Sequence, residues 1–367
     1  MVSGPPSHGL PSVSVVIPVR NDAQRLDQCL TALAESDVRP IETIVIDDGS
    51  TDESGATATR HGAHLIRLEQ SGGPAHARNR GAEIARGDLL FFVDADVVVQ
   101  CDTVRTAAGV LADESLAAVI GSYDDAPGDP GFVSQYKNLF HHWVHQTSNE
   151  EAWTFWSGCG AVRRSVFLAM GGFNEGYPKP SIEDIEFGFR LRAADRRIRL
   201  EKTMLAKHMK QWTLFNLIRT DIFQRGVPWI ALMMRDRFAA SDLNISAESR
   251  WSTVLTYMGT ALLLMCVVFP GVLFPWTAIA AISVLALVVV LHHDLYRFFA
   301  TKRGLSFALR VVPMHLLFFL YSGLCIPFGM IAHSMDRRRA ERTARGPGVR
   351  TLEPLEVNAV DAGGAGP

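Results

Sequence analysis

The chain has 367 residues, of which 36 are basic and 38 acidic, and 48% are hydrophobic. Charge so nearly balanced excludes the basic footprint of a nucleic-acid-binding protein, so no nucleic acid is expected as a partner. Five cysteines, an odd number without metal-ligand spacing, exclude a disulfide framework and a zinc ribbon and suit a reducing compartment. Met1 to Leu10 has neither a basic leader nor a long apolar core, so no signal peptide is expected there, and no internal repeat is found.

In chain order, Ser12 to Val19 reads as a buried strand closed by Pro18, which cannot continue a central ladder. Asn21-Asp22 then offers a helix N-cap, with Leu26, Cys29, Leu30 and Leu33 at helical spacing. A second strand, Ile41 to Ile46, ends in Asp47-Asp48-Gly49-Ser50-Thr51-Asp52, where Gly49 permits a tight turn and Ser50 or Thr51 can cap the next helix. A third strand, His64 to Leu68, feeds the glycine-rich run from Ser71 to Ala82 and a further helix. The apolar run Leu89 to Val93 then stops on Asp94-Ala95-Asp96. Strands alternating with short helices predict an α/β fold with a mostly parallel, doubly wound sheet. A strand ending on two carboxylates puts them at the sheet rim where such folds bind ligands. Two oxygens there suit a hard divalent cation able to hold a diphosphate.

Six stretches in order then carry a resemblance. Val16 to Asn21, Ile46 to Asp52, Ala77 to Gly81, Val93 to Asp96, Ser157 to Arg164 with Gly171 to Glu175, and Glu183 to Arg190 resemble the motifs of family 2 glycosyltransferases, from about Val13 to about Trp229. The resemblance implies a GT-A (Rossmann-like) domain, a hexosyltransferase-type activity with inversion, and a nucleotide-diphospho-sugar donor, uridine-linked, with Mn2+ or Mg2+. It implies Asp48 on the uracil N3–H, with Pro18, Arg20 and Asp47 lining the same mouth, and Asp94 near the ribose. It implies Asp96 on the metal and Arg78 on the nucleotide or its diphosphate, for which a guanidinium fork is suited. Asp184, beside Glu183, is the expected general base, because direct displacement needs one carboxylate to take the acceptor proton. Trp156, Gly158, Cys159 and Gly160 fall in the acceptor-side loop.

Plainer readings stand beside these. Asp52 suits a helix cap, and Glu183 and Asp184 suit any first helical turn. His208 is expected as a third metal ligand or diphosphate contact, or else as a structural histidine. His141 and His145 share a helical face without an acidic or cysteine partner, which favours an acceptor-side or packing role over zinc. Many processive members carry Gln-x-x-Arg-Trp; here Gln224-Arg225-Gly226-Val227-Pro228-Trp229 stands instead, which weighs against polymer synthesis and leaves Arg225 and Trp229 to close the donor pocket. The arginines at 190, 192, 196, 197 and 199 read as a solvated or lipid-facing surface.

The organisation expected is an N-terminal tail (1–11), a GT-A domain (12–210), an amphipathic interfacial helix or lid (211–250), a membrane region (251–333) and a basic, then disordered tail (334–367). Thr253 to Phe274 and Trp276 to Leu291 predict two membrane helices joined around Pro270-Gly271. Phe307 to His333, broken by Pro313, Gly323 and Pro327, predicts a third crossing or a re-entrant segment. Arg297, Lys302 and Arg303 would then lie inside with the catalytic domain, whereas a third crossing puts Arg337-Arg338-Arg339 outside, against the positive-inside rule. The expected partners are the donor, membrane lipid and a lipid-linked or glycan acceptor, with the catalytic domain facing the cytoplasm. The rival readings are a catalytically silent sugar-nucleotide-binding subunit of a membrane complex and a processive synthase.

Overall fold

The computed structural model describes residues 9–177, 179–236, 247–269 and 274–344. The start of the N-terminal tail, the turn at Pro270-Gly271, part of the 211–250 segment and the tail beyond 344 lie outside the described residues.

The first strand, β1 (Val13–Val19), is β-branched at five of its seven positions, as a pleated buried surface favours. Its two faces serve two cores. Val15, Ile17 and Val19 pack with Leu26, Leu30 and Leu33 of α1 (Ala23–Ala34), while Val16 joins the opposite cluster. β2 (Glu42–Asp47), α2 (Ser54–Arg60), β3 (His64–Arg67), α3 (Pro74–Ile84) and β4 (Leu89–Val93) continue the alternation. β1 pairs parallel to β2 as far as Val19 but to β4 only as far as Val16, so Pro18 stands where the second ladder has ended.

The rest departs from a mostly parallel sheet. β5 (Val97–Val99), α4 (Thr103–Val110), β6 (Leu116–Tyr123), α5 (Phe132–Thr147), β7 (Glu151–Ala152), β8 (Cys159–Arg163), α6 (Arg164–Ala169), α7 (Glu183–Ala193) and β9 (Arg197–His208) complete a sheet ordered β3-β2-β1-β4-β8-β6-β9-β5, with β7 also on β9. β8 lies antiparallel between β4 and β6, and β5 and β7 run antiparallel to β9. The sheet is therefore mixed. Its parallel part is the β3-β2-β1-β4 half, together with β6 and β9.

Local capping follows expectation at Asp52 but not at Asp22 or Ser50. Asp22 precedes α1 but its carboxylate holds Arg25, and Ser50 accepts from the Asn21 amide instead of capping α2. Asp52 does the capping, accepting from the Ser54 and Ala23 amides at 3.0 Å and so serving the starts of both α2 and α1. Gly49 takes φ +73°, the left-handed turn its position requires.

Beyond β9, residues 212–236 form α8 (Leu214–Arg219), a π-helical turn (Thr220–Gly226) and α9 (Val227–Asp236). The segment is amphipathic: Leu217 and Leu232 are buried, Phe215 and Phe223 exposed. Then come α10 (Ala247–Val268), α11 (Phe274–Leu291), α12 (His293–Arg303) and α13 (Leu305–Ala344). Three of them, α10, α11 and α13, are long and apolar enough to cross a membrane. The prolines at 313 and 327 do not break α13, which is one helix of 40 residues. Its packing on α9, α10 and α12 outweighs the roughly 3 kcal/mol a proline costs a helix interior. At 1.5 Å per residue it spans about 60 Å, twice a hydrocarbon core of about 30 Å. α12 was not expected. Its Lys302 reaches the Asp125 carboxylate at 2.5 Å and its Arg303 the Asp125 carbonyl at 2.8 Å and Gln135 Oε1 at 2.8 Å, so the connection between α11 and α13 returns to the sheet domain.

Candidate active site

Strands β1, β2 and β4 end together at the mouth of a cavity of about 1060 Å³, which continues beneath α9, α10 and α13. Asp48, at the end of β2, accepts from Ser71 Oγ at 2.7 Å and from the Gly72 and Gly73 amides at 2.8 and 3.0 Å. The glycine-rich loop is thus tied to the carboxylate, and Arg20 joins it through Ser71 Oγ at 2.9 Å. A carboxylate offers about four lone-pair positions, so about one remains on Asp48. Pro18 and Arg20 line the cavity with it. Asp47 does not. Its carboxylate turns under the Gly49 loop to accept from Ser50, away from the mouth it was expected to line.

Arg78 is no surface residue. At 4% exposure its guanidinium bridges Asp94 (2.6 Å) and Glu183 (3.0 Å), joining α3, the end of β4 and the start of α7. Burial pushes the Glu183 carboxyl up, against the pull of Arg78 and with the repulsion of Asp184. Glu183 also accepts from the Ser181 amide at 2.9 Å, and it lines the cavity. Asp184 is held differently: Oδ2 accepts from the Ser157 amide and hydroxyl, both at 3.0 Å, and the side chain lines the cavity.

Asp96 and His208 meet across the β5–β9 edge, with Oδ2 and Nε2 3.6 Å apart, too far for a hydrogen bond. Asn138 Oδ1, 2.6 Å from His208 Nδ1, accepts the proton there and turns Nε2 toward Asp96. Tyr123 stacks on the ring at 4.4 Å. Burial opposes ionisation of Asp96, but the attraction of His208, Lys210 and Arg25 prevails and holds it down at about 2. A carboxylate and an imidazole with a gap between them fit a divalent cation such as Mn2+. Among the described residues no third His, Cys, Asp or Glu completes a metal group, so the other positions of a cation there would be left to water or a bound ligand.

The acceptor-side residues separate. Trp156 and Gly158 line the cavity; Cys159 and Gly160 do not, because both lie inside β8, paired to Val93 and Phe92. A Cβ on Gly160 would sit 2.4 Å from the Trp156 carbonyl, so that glycine lets the loop close on the sheet. Burial pushes the Cys159 thiol up, which makes it inert packing. The His141 and His145 rings meet at 4.0 Å, tilted by 37°, and flank Trp156, while His145 also reaches the Gly121 carbonyl at 2.9 Å. Burial lowers His145 to about 4, which keeps it neutral. Arg225 and Trp229 both line the cavity. The arginines of α7 and β9 are not simply solvated: Arg190 holds Glu186, Arg192 holds Glu151, and Arg199 holds Glu201.

Sequence reasoning missed Ser157 as a partner of Asp184, Asn138 and Tyr123 behind His208, and the group Lys137, Lys210, Asp221 and Tyr321 deeper in the cavity. Lys210, two residues after His208, carried a positional signal; the others come from elements whose convergence no local pattern announces.

Residues 14–171 match the family model described as glycosyl transferase family 2. A pre-mycofactocin glycosyltransferase of Mycobacterium tuberculosis is 28% identical over 268 residues, 70% of this chain and 54% of that protein. Glycosyltransferase GlyG of Streptococcus pneumoniae is 30% identical over 125 residues, 32% of this chain and 42% of that protein. The matched region thus spans about half the length of these curated relatives. A mannosyltransferase from Pyrobaculum calidifontis, solved with GDP-Man and Mn2+, superposes with a TM-score of 0.56 at 19% identity over 89% of each chain. With its mixed sheet, its carboxylates at the strand ends and this match, the chain has a GT-A fold whose residues 14–171 are similar to glycosyl transferase family 2.

Proposed function

We propose that the protein is an inverting glycosyltransferase that moves a sugar from a nucleotide-diphospho-sugar to a hydroxyl of a membrane-associated acceptor. One observation carries the reading: Asp184, oriented by Ser157, opens on the same cavity as Asp94 and the Asp96–His208 pair. Asp48 retains about one acceptor position, which matches the single imide N–H of uracil and favours a uridine donor. Arg78 keeps Asp94 ionised and in place at the ribose side. Asp96 and His208 would hold a divalent cation, which supplies neutralisation of the charge that develops on the leaving diphosphate. Asp184 takes the proton of the attacking hydroxyl, and the two Ser157 donors hold its second oxygen so that it meets the acceptor in one orientation.

The three apolar helices support attachment to a bilayer, and the docking of α12 on Asp125 and Gln135 supports a chain that returns to the catalytic side after two crossings. A cytoplasmic catalytic domain follows from the basic residues on α12.

The test is nucleoside diphosphate release by detergent-purified protein offered a panel of nucleotide sugars with Mn2+ and lipid extract. Release with one donor is expected. Asp184→Asn should keep nucleotide binding and lose release, whereas Asp96→Ala should lose the metal-dependent part of that binding. Equal turnover in Asp184→Asn and the unmodified protein would overturn the assignment of the base.

A further inference from the structure

Of the three apolar helices, α13 alone is held by the catalytic domain along most of its length. Near its start, Phe307 packs edge-on against Phe132 of α5, with ring centroids 5.0 Å apart, and the Arg310 guanidinium stands 4.0 Å from the same ring. Further on, Phe318 meets Phe140 at 5.5 Å, and Tyr321 donates to Asp221 of the π-helical turn at 2.9 Å. Cys325 then abuts Gly226, and Gly329 lies against Ile230 of α9. Both supports belong to the sheet domain. α5 is tied to it by His145 on the Gly121 carbonyl at 2.9 Å and by Asn138 on His208 at 2.6 Å. α9 is tied by Leu232, which packs with Ile182 and Phe189, and by Arg235, 3.6 Å from Glu186.

From Phe307 to Gly329 the helix advances about 33 Å, more than a hydrocarbon core of about 30 Å. Were that stretch a crossing, α5 and α9 would stand on opposite faces of the bilayer, which one sheet domain cannot do. The Lys137–Asp221 pair, 2.9 Å apart and reached by Tyr321, would also lie deep in hydrocarbon, where charged groups are costly. Burial along α13 divides by helical face. Ala308, Val311, His315 and Phe319, three and four residues apart, are buried against the protein. Leu324, Phe328, Ile331 and Met335 repeat the same spacing on the outward side, where they are exposed together with Leu305 and Leu309. The hairpin of α10 and α11 starts from the middle of this helix. Ser252 Oγ and His292 Nε2 close its base at 2.9 Å; the His292 ring meets Phe319 at 5.3 Å, and Tyr257 donates to the Leu320 carbonyl at 2.6 Å. From Ser252 to the end of α10 at Val268 is about 24 Å, and α11 measures about 27 Å, each close to the thickness of the core. Trp251 at the base and Trp276 near the tip are 66 and 70% exposed, as in the aromatic belts at the two membrane interfaces.

We infer that α10 and α11 enter the bilayer core, whereas α13 does not cross it but lies along the membrane surface on the catalytic side. The partner of its outward apolar face is the lipid bilayer, continuous with the lipid around the hairpin, and that face sits at the boundary of headgroups and acyl chains. Arg337-Arg338-Arg339 then stays on the side of Lys302 and Arg303, and the conflict with the positive-inside rule that a third crossing creates is gone. The lipid contact rests on the proposed attachment to a bilayer; the course of α13 over α5 and α9 does not.

Two measurements on the full chain test it. Cys101 of the sheet domain is exposed and the other cysteines are buried, so Cys101 reports the catalytic side. A membrane-impermeant maleimide is expected to label Cys101 of the unmodified protein and position 338 of Arg338→Cys, made with Cys101→Ser, from the same face of sealed membrane vesicles. Labelling from opposite faces would overturn the inference. For depth, a fluorophore is attached through Leu309→Cys, Leu324→Cys or Leu264→Cys, again with Cys101→Ser, in phosphatidylcholine vesicles brominated near the headgroup or near the chain end. Positions 309 and 324, about 22 Å apart along the helix, are expected at the same shallow depth to within about 5 Å, and position 264 of the hairpin deep in the core. A difference of about 20 Å in depth between 309 and 324, with 264 deep, would overturn the placement of α13 alone. No quenching at any of the three would overturn the attachment to a bilayer, and the inference with it.

Discussion

The sheet rim and the helical end of the cavity are built on opposite principles. At the rim nearly every charge is held by another element: Arg78 by two carboxylates, Asp48 by three donors of one loop, Asp184 by the backbone and hydroxyl of Ser157. At the helical end the elements present bare apolar faces, with Trp251, Val267 and Trp276 each more than half exposed, and a single buried carboxylate ties three elements together. The difference teaches where each kind of specificity resides. The sheet rim fixes its charged side chains in place, while the helices line the rest of the cavity that leads to them.

The largest effect expected falls on the rim. Asp184→Asn should lower transfer by about 10²–10⁴-fold with only a small fall in the thermal midpoint, since the amide oxygen can still accept from Ser157 while the contact with the Ile185 amide is lost. Diphosphate release and calorimetry on the same preparation check both halves. Arg78→Met should destabilise by about 3–5 kcal/mol, because Glu183 and Asp94 lose their shared partner and Glu183 is buried. Denaturant unfolding of the detergent-solubilised protein measures it, and a loss below about 1 kcal/mol would show that the rim is not as tightly braced as the contacts imply.

Two glycines sharpen the comparison. An alanine Cβ at Gly188 would meet the Phe155 amide nitrogen at 2.2 Å and the Thr154 backbone at 2.6 Å, and neither can move without displacing the Trp156 loop. At Gly226 the nearest atom is Cys325 Sγ at 2.4 Å, on a helix that can slide. Gly188→Ala should therefore cost more stability than Gly226→Ala, by about 1 kcal/mol or more, with transfer impaired chiefly in the first. The smallest effect is expected at the connection itself. Asp125→Asn removes the exposed pair with Lys302 and should cost no more than about 1 kcal/mol, shrinking further at high salt.

Much of the rim was readable because its motifs are local. The strand of Leu89 to Val93 stops on its carboxylates at Asp94 and Asp96, and Asp96, His208 and Asp184, far apart in the chain, line one cavity. Where single residues were assigned to the cavity by motif position alone, some lie elsewhere: Asp47 turns under its own loop, and Cys159 and Gly160 enter β8. Neighbours in sequence point to opposite faces of a strand, so a motif names a place without saying which of its members faces the ligand.

Periodicity and apolar runs were enough to determine a strand–helix alternation, two cores on the faces of one sheet and three long apolar helices. Such patterns depend on each residue's own transfer free energy. The antiparallel insertion of β8, the unbroken course of α13 through two prolines, and the meeting of Lys137, Asp221 and Tyr321 were decided only by tertiary structure. Those three residues are separated by 84 and 100 positions in the chain. A buried carboxylate chooses its partners by the geometry of packed elements, and no local stretch of sequence contains that geometry.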